Sequence, residues 1–83
     1  MSTSEINSPA TSLIEIPSSV AGSVWQILAS ADGYVRAGEP ILILESMKLE
    51  IEVNAPASGT VAIHVAEGQV VAAGDVLASL QAE

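Results

Sequence analysis

The chain has 83 residues, of which 49% are hydrophobic and 14% charged, and its ten acidic and two basic residues give a formal net charge of −8 at pH 7. This acidity argues against binding to nucleic acid or to an anionic membrane surface. Cysteine is absent, so disulfides, thiolate metal ligands and thiol catalysis are excluded.

The chain is predicted to contain a short N-terminal tail, residues 1–11, and one domain, residues 12–83. The tail is polar, rich in Ser and Thr and without periodicity, so we expect it to be disordered. It lacks the features of a signal peptide or a mitochondrial presequence, which favours a cytoplasmic location. The all-aliphatic run Ile41–Leu44 is far shorter than the roughly 20 residues of a membrane-spanning helix, so no membrane association is expected.

An internal repeat divides the domain into two halves. Residues 14–22 align with residues 51–59 at an offset of 37, and both segments begin with Ile-Glu and end in glycine. Further along, Gly38 falls on Gly74. Two copies are too few for a solenoid. They fit a single barrel or sandwich built from two interlocked halves with approximate two-fold symmetry.

Each half is predicted to contain four short strands bounded by Gly, Pro, Asp and Asn. No segment combines the length and the 3.6-residue period of a helix. The predicted fold class is therefore all-β, a flattened barrel made of two four-stranded antiparallel sheets. The strands are expected near residues 12–16, 22–29, 34–36, 40–46, 49–54, 59–65, 70–71 and 76–81.

Alternation of apolar and polar residues predicts the buried face of several strands. In residues 49–53 the apolar side chains, Leu49 included, should face the core and the two glutamates should face water. Residues 60–65 should bury their valine and isoleucine side chains in the same way. Ile41–Leu44 is apolar on both faces, which is typical of a central strand covered on both sides or of the crossing element of a barrel. For residues 22–29 the pattern does not identify which face is buried.

Lys48 is the only lysine of the chain, and Arg36 is the only arginine. Lys48 lies between two predicted strands, where the chain must reverse direction. A solvated lysine at the tip of a hairpin would be the ordinary interpretation. However, the lysine is flanked by Met47 and Leu49, at a turn where Asn-Gly or Asp-Gly would be favoured. These residues indicate a requirement other than the stability of the turn.

The segment Ile41–Pro56, with Glu45-Ser46-Met47-Lys48-Leu49 at its centre, closely resembles the attachment segment of biotin carboxyl carrier domains. In that family Met-Lys-Met, usually preceded by Glu-Ala, forms a tight hairpin whose lysine is biotinylated by a biotin protein ligase. Ser46 stands where Ala is usual, and Leu49 replaces the second Met. The resemblance implies biotin on Lys48, with Met47 as a ligase-recognition residue and Glu45, Ser46 and Leu49 completing the attachment segment.

The resemblance runs from about Leu13 to Leu80 and implies the same flattened barrel. It also implies a non-catalytic carrier subunit, in which biotin on Lys48 moves a carboxyl group from a biotin carboxylase to a carboxyltransferase. The implied partners are therefore a biotin protein ligase, a biotin carboxylase and a carboxyltransferase.

Other candidate chemistry is sparse. His64 is the only histidine and is predicted to point outward, which favours an ordinary surface residue. Glu45, Glu50 and Glu52 have no His or Cys beside them, so a role in solubility is favoured over a metal or acid–base site. Trp25 is expected to serve in packing or edge cover.

Two alternative functions remain. A lipoyl carrier of a 2-oxoacid dehydrogenase or glycine-cleavage system would share the fold and a hairpin lysine. In such domains the lysine commonly follows Asp and precedes a small residue, in contrast to Met47 and Leu49. A non-carrier adaptor with a biotinyl-like fold would have little reason to retain one lysine within an almost complete attachment motif.

Overall fold

The computed structural model describes residues 12–29 and 33–83, and this part of the chain contains eight strands joined by turns and loops. The strands form two antiparallel sheets: the first has the order β1-β8-β6-β3 and the second the order β5-β4-β2-β7. The all-β prediction is confirmed. The strands are β1 (Ser12–Pro17), β2 (Gly22–Ile27), β3 (Tyr34–Val35), β4 (Pro40–Ser46), β5 (Leu49–Asn54), β6 (Gly59–Ile63), β7 (Val70–Val71) and β8 (Val76–Ala82).

The strand boundaries agree with the predicted ones to within two residues, β2 and β6 being shorter than expected at their C-terminal ends. The tail predicted for residues 1–11 lies outside the described residues. Within the described part, no helix has the length and hydropathy to cross a membrane.

The two halves of the sequence repeat occupy equivalent places in the two sheets. β1 to β4 correspond to β5 to β8, and each position in one sheet is filled by the equivalent strand in the other. The turns repeat as well, since Gly38 donates its N–H to the carbonyl of Ala55 at 2.7 Å, and Gly74 donates to Ser18 at 2.8 Å. Both glycines have a positive φ, 87° and 94°. The predicted two-fold symmetry is confirmed in the backbone.

The same symmetry places the hairpin that contains Lys48 far from the first and last described residues. β4 leads into the hairpin, whereas its counterpart β8 leads to the C-terminus, where Ala82 pairs with Ser12 of β1. The seven residues of β4 alone span roughly 20 Å at the usual rise of a strand. The first and last described residues therefore lie at the end of the barrel remote from Lys48.

Bulges in β4 and β8, one central strand of each sheet, explain the runs that are apolar on both faces. The pairing of β4 with β5 skips Ile41, and the pairing of β8 with β1 skips Leu77. Both residues are fully buried. Because each bulge adds one residue, Ile41 and Leu42 both enter the core, whereas Ile43 is only half-buried on the outer face. β4 is central, as predicted, but a bulge rather than cover on both faces accounts for its pattern.

A third bulge explains why the buried face of β2 could not be assigned from the sequence. Val24 pairs with Leu44 and Gln26 with Ile43, so Trp25 is an extra residue between them. Val24 is buried, and Trp25 is 49% exposed. An inserted residue breaks the period of two, which removes the signal that would have identified the inner face.

The burial predicted for β5 is correct in its centre and wrong at its first residue. Ile51 and Val53 are half-buried against the core, and Glu50 and Glu52, which alternate with them, are exposed. Leu49, however, is 66% exposed. It lies at the hairpin end of an edge strand, where one neighbouring strand is missing and the facing first sheet no longer covers it. The predictions for β6 are confirmed: Val61 is buried and His64 is exposed.

Candidate functional site

Lys48 lies in a two-residue turn between β4 and β5, as predicted. Ser46 pairs with Leu49 across the hairpin, and the intervening Met47 and Lys48 have φ values of 51° and 70°. Two consecutive positive φ values are the mark of a type I′ hairpin turn, which normally selects Asn and Gly. A non-glycine residue in this region costs on the order of 1 kcal/mol or more, and such strain concentrates at functional sites. The turn therefore retains Met and Lys at the expense of its own stability.

The tip of the hairpin projects from the barrel and is accessible from outside. Met47 is 92% exposed, Leu49 is 66% exposed, and Lys48 is exposed between them. None of the described side-chain hydrogen bonds uses the Lys48 amine. The surface formed by the described residues has no pocket. The arrangement suits a primary amine that is modified by another protein, rather than a catalytic cleft.

The base of the hairpin is held against the connection between β1 and β2. The Ser46 hydroxyl donates a hydrogen bond of 2.9 Å to the backbone carbonyl of Ala21. The next residue, Gly22, lies so close to β4 that a Cβ atom there would be 2.5 Å from the carbonyl oxygen of Glu45. A glycine at position 22 is therefore required for the hairpin to rest on the barrel.

We expect Gly22→Ala to lower the free energy of unfolding by about 1–3 kcal/mol, because the added methyl group overlaps backbone atoms that have little room to move. For a domain of this size the melting temperature should fall by roughly 5–20 °C. Ser19→Ala, an exposed change three residues earlier, is the control and should change the free energy by less than about 0.5 kcal/mol. Equal melting temperatures for the two variants would contradict the close approach.

The charges around Lys48 are acidic. Glu45 and Glu50 lie directly opposite each other across the hairpin, an arrangement that destabilises the strand pair, and Glu52 follows on the same face. Arg36, the other cation of the chain, lies beyond the far end of β4. Acylation of the Lys48 amine would remove its positive charge and leave the hairpin surface acidic, with no nearby cation among the described residues.

All five residues of the predicted attachment segment, Glu45 to Leu49, are brought together in this one hairpin. The supporting contacts of Ala21 and Gly22 were not identified from the sequence. The one sequence feature that pointed to Gly22 was the repeat, in which it is equivalent to Gly59. The repeat does not reveal which strand each glycine approaches. In the structure, a Cβ atom on Gly59 would overlap the backbone of Gln81 in β8.

His64 lies outside this site. Its Nε2 atom is 2.7 Å from the Ser79 hydroxyl on the outer face of the first sheet, whereas the hairpin belongs to the second. Trp25 also lies away from the turn, at the bulge in β2.

Comparisons with known proteins agree with the geometry. The model of the family described as biotin-requiring enzyme matches residues 4–80. The chain is 41% identical over 66 residues to a biotin carboxyl carrier protein of Streptococcus mutans, and 40% identical over 62 residues to a biotin/lipoyl attachment protein of Bacillus subtilis. Its fold is similar to part of the Kluyveromyces lactis urea carboxylase, with a TM-score of 0.78 and 31% identity.

The coverage of these matches differs widely. The match with the Streptococcus protein covers 78% of this chain and 51% of that protein. The match with the Bacillus attachment protein covers 74% of this chain and 85% of that protein. The urea carboxylase match covers 96% of this chain and only 7% of the enzyme. The shared unit is thus a small domain that occurs alone or within much larger proteins.

Proposed function

Because the chain belongs to the biotin/lipoyl family of biotin-requiring enzymes, we propose that it is a biotin carboxyl carrier and that Lys48 holds biotin in amide linkage. The observation that carries this proposal is the exposed Lys48 in a turn whose two residues both have a positive φ. A turn selected only for stability would place Asn and Gly there. The side chains of Met47 and Lys48 are therefore the feature that this turn preserves.

The residues of the hairpin fit covalent attachment of biotin. Lys48 provides the only side-chain amine of the chain, and its exposed position allows the carboxyl group of biotin to be joined to Nζ. When bound, biotin supplies a ureido nitrogen that takes up and releases a carboxyl group. Attachment removes one positive charge, so the formal net charge of −8 becomes −9.

The remaining residues of the hairpin orient the lysine and present it to other proteins. The exposed side chains of Met47 and Leu49 offer an apolar contact on either side of Lys48. We propose that a biotin protein ligase recognises this contact. The paired strands keep the turn at a fixed distance from the barrel, so that only the lysine side chain and its attached group need to move.

We further propose that the chain acts as a non-catalytic subunit, serving a biotin carboxylase and a carboxyltransferase in turn. The supporting observations are the projecting site and the absence of a pocket among the described residues. A carrier of this kind brings its attached group into the active sites of its partners, so it needs an exposed tip and no cleft of its own.

A lipoyl carrier is the second candidate, since the Bacillus relative is named for attachment of biotin or lipoyl groups. The two functions would use the same fold and the same amine. They differ at the neighbours of the lysine, where the exposed bulk of Met47 and Leu49 favours biotin.

Parallel incubation with a biotin protein ligase and a lipoate ligase, followed by intact-protein mass spectrometry, tests the proposal. We expect the wild-type chain to gain the mass of one biotinyl group and little or no lipoyl mass. A preference for the lipoyl group would replace the proposed function with the second candidate. No mass gain with either enzyme would favour the non-carrier adaptor.

In the double variant Met47→Asp, Leu49→Ala, the rate of biotinylation should fall strongly, whereas the free energy of unfolding should change little. Both side chains are largely exposed, so their removal should change the free energy of unfolding by no more than about 1 kcal/mol. The ligase, by contrast, loses the apolar contacts on both sides of Lys48. Rates of biotin incorporation and melting temperatures are measured side by side. An unchanged rate of incorporation would show that neither residue contributes to ligase recognition.

A further inference from the structure

The outer part of the attachment hairpin has little apolar packing to hold it in place. Met47 and Leu49 are exposed, and the two glutamates that pair across the hairpin repel each other. The turn itself carries the strain of two positive φ values. Strained conformations persist only where the surroundings impose them, so another contact must supply the constraint. The side-chain contact nearest to the turn is the hydrogen bond from Ser46 to Ala21, which are 25 positions apart in sequence.

The sequence repeat provides a comparison for this contact within the same molecule. The residue equivalent to Ala21 is Ser58, whose carbonyl accepts the backbone N–H of Glu83 at 3.0 Å. In the hairpin half, the carbonyl of Ala21 accepts the side-chain hydroxyl of Ser46 instead, at 2.9 Å. The counterpart of Ser46 in β8 is Ala82, which has no hydroxyl. In the half of the molecule that contains the turn, a side-chain hydroxyl therefore donates the hydrogen bond that a backbone N–H donates in the other half.

We infer that Ser46 is a positioning residue, whose hydroxyl fastens the hairpin to the β1–β2 connection and thereby presents Lys48 to the modifying ligase in one orientation. Ser46 is partly buried at the base of the turn and acts on Lys48 through the hairpin. The role of the ligase rests on the proposed function. The fastening of the hairpin by Ser46 does not rest on the proposed function, because it is a property of the unmodified chain.

The test compares Ser46→Ala with Ser58→Ala. The Ser58 hydroxyl accepts the N–H of Ala37 at 3.0 Å in the other half of the repeat, so the control also loses one hydrogen bond but leaves the hairpin intact. Amide hydrogen exchange at Leu49 and Ile51, which pair with Ser46 and Leu44 across the hairpin, reports the opening of the hairpin. Steady-state biotinylation, with the carrier as the varied substrate, gives KM and kcat.

For Ser46→Ala we expect exchange at the hairpin amides to be about three- to tenfold faster, the range that the loss of one net hydrogen bond gives. The KM of the ligase for the carrier should rise about two- to fivefold, because a smaller fraction of the molecules presents the turn in its competent form. The kcat should change little, since the lysine amine is untouched. Ser58→Ala should leave exchange at the hairpin and both kinetic constants at the wild-type values.

Ser46→Thr retains a hydroxyl and should restore slow exchange and the low KM. Hairpin exchange and KM in Ser46→Ala that match those of Ser58→Ala would overturn the inference. Equal losses in the Ala and Thr variants would also overturn it, because side-chain size would then be the controlling property. If no ligase biotinylates the wild-type chain, the proposed function fails, and the exchange measurement still decides whether Ser46 fastens the hairpin.

Discussion

Lys48→Arg is expected to fold like the wild-type chain and to carry no biotin. The side chain is exposed and arginine keeps its positive charge, so the free energy of unfolding should change by less than about 0.5 kcal/mol. The guanidinium group stays protonated and offers no free amine for formation of the biotinyl amide. Intact-protein mass spectrometry after incubation with the ligase, together with avidin binding by the denatured protein, measures the loss.

The chain offers a matched control, because it has one lysine and one arginine. In the double variant Lys48→Arg, Arg36→Lys the two residues are exchanged, and both composition and net charge are conserved. Position 36 lies beyond the far end of β4, away from the hairpin. We expect no biotin on this variant either, since the proposed recognition by the ligase requires a lysine in the hairpin. Avidin binding by the single Lys48→Arg variant would refute the assignment of the attachment site.

Leu44→Ala is expected to destabilise the domain strongly, whereas Leu49→Ala, the same change five positions later, should have little effect. Leu44 is fully buried between the two sheets, and Leu49 is 66% exposed. Truncation of a buried leucine costs about 2–5 kcal/mol, through lost burial and the cavity that remains. In a domain of this size the melting temperature should fall by at least about 10 °C.

Thermal and denaturant unfolding of both variants provide the measurement. Leu49→Ala should change the free energy of unfolding by less than about 1 kcal/mol, as is usual for an exposed side chain. A large loss of stability in Leu49→Ala would mean that the start of β5 packs against the barrel. Such a result would support the prediction, made from the alternating pattern, that Leu49 is buried.

The sequence was sufficient to predict the fold class, the approximate bounds of the eight strands and the hairpin that contains Lys48. Two of the signals are local patterns, the alternation in residues 49–53 and the glycines at the turns. The third is the internal repeat, which aligns Gly38 with Gly74. The lone Lys48 between two strand patterns located the tip of the hairpin. Apart from the repeat, each of these signals lies within a few residues of the feature that it predicts.

The bulges could not be predicted in this way. Whether Trp25 or Ile41 pairs with a neighbour is decided by the partner strand, and the sequence of one strand carries no record of the register of the other. The support of the hairpin by Ala21 and Gly22 was missed for the same reason, because the contact joins segments far apart in the chain.

Leu49 shows a further limit of periodicity. An alternating pattern states which side of a strand a residue occupies, but not how far the facing sheet extends along that strand. At the start of β5, beside the turn, the inner side of the strand is open to solvent, so an inward-facing Leu49 is exposed. This exposure leaves Leu49 available to a protein that docks on the turn.

The pairing of Ser12 with Ala82 has a consequence for engineering and for larger assemblies. A polypeptide fused to either end of the domain leaves the barrel at the pole opposite to Lys48. An affinity tag, a linker or a neighbouring domain can therefore be added at that pole without shielding the turn. The length of such a linker would then set the radius over which the whole barrel swings, with Lys48 at the leading end.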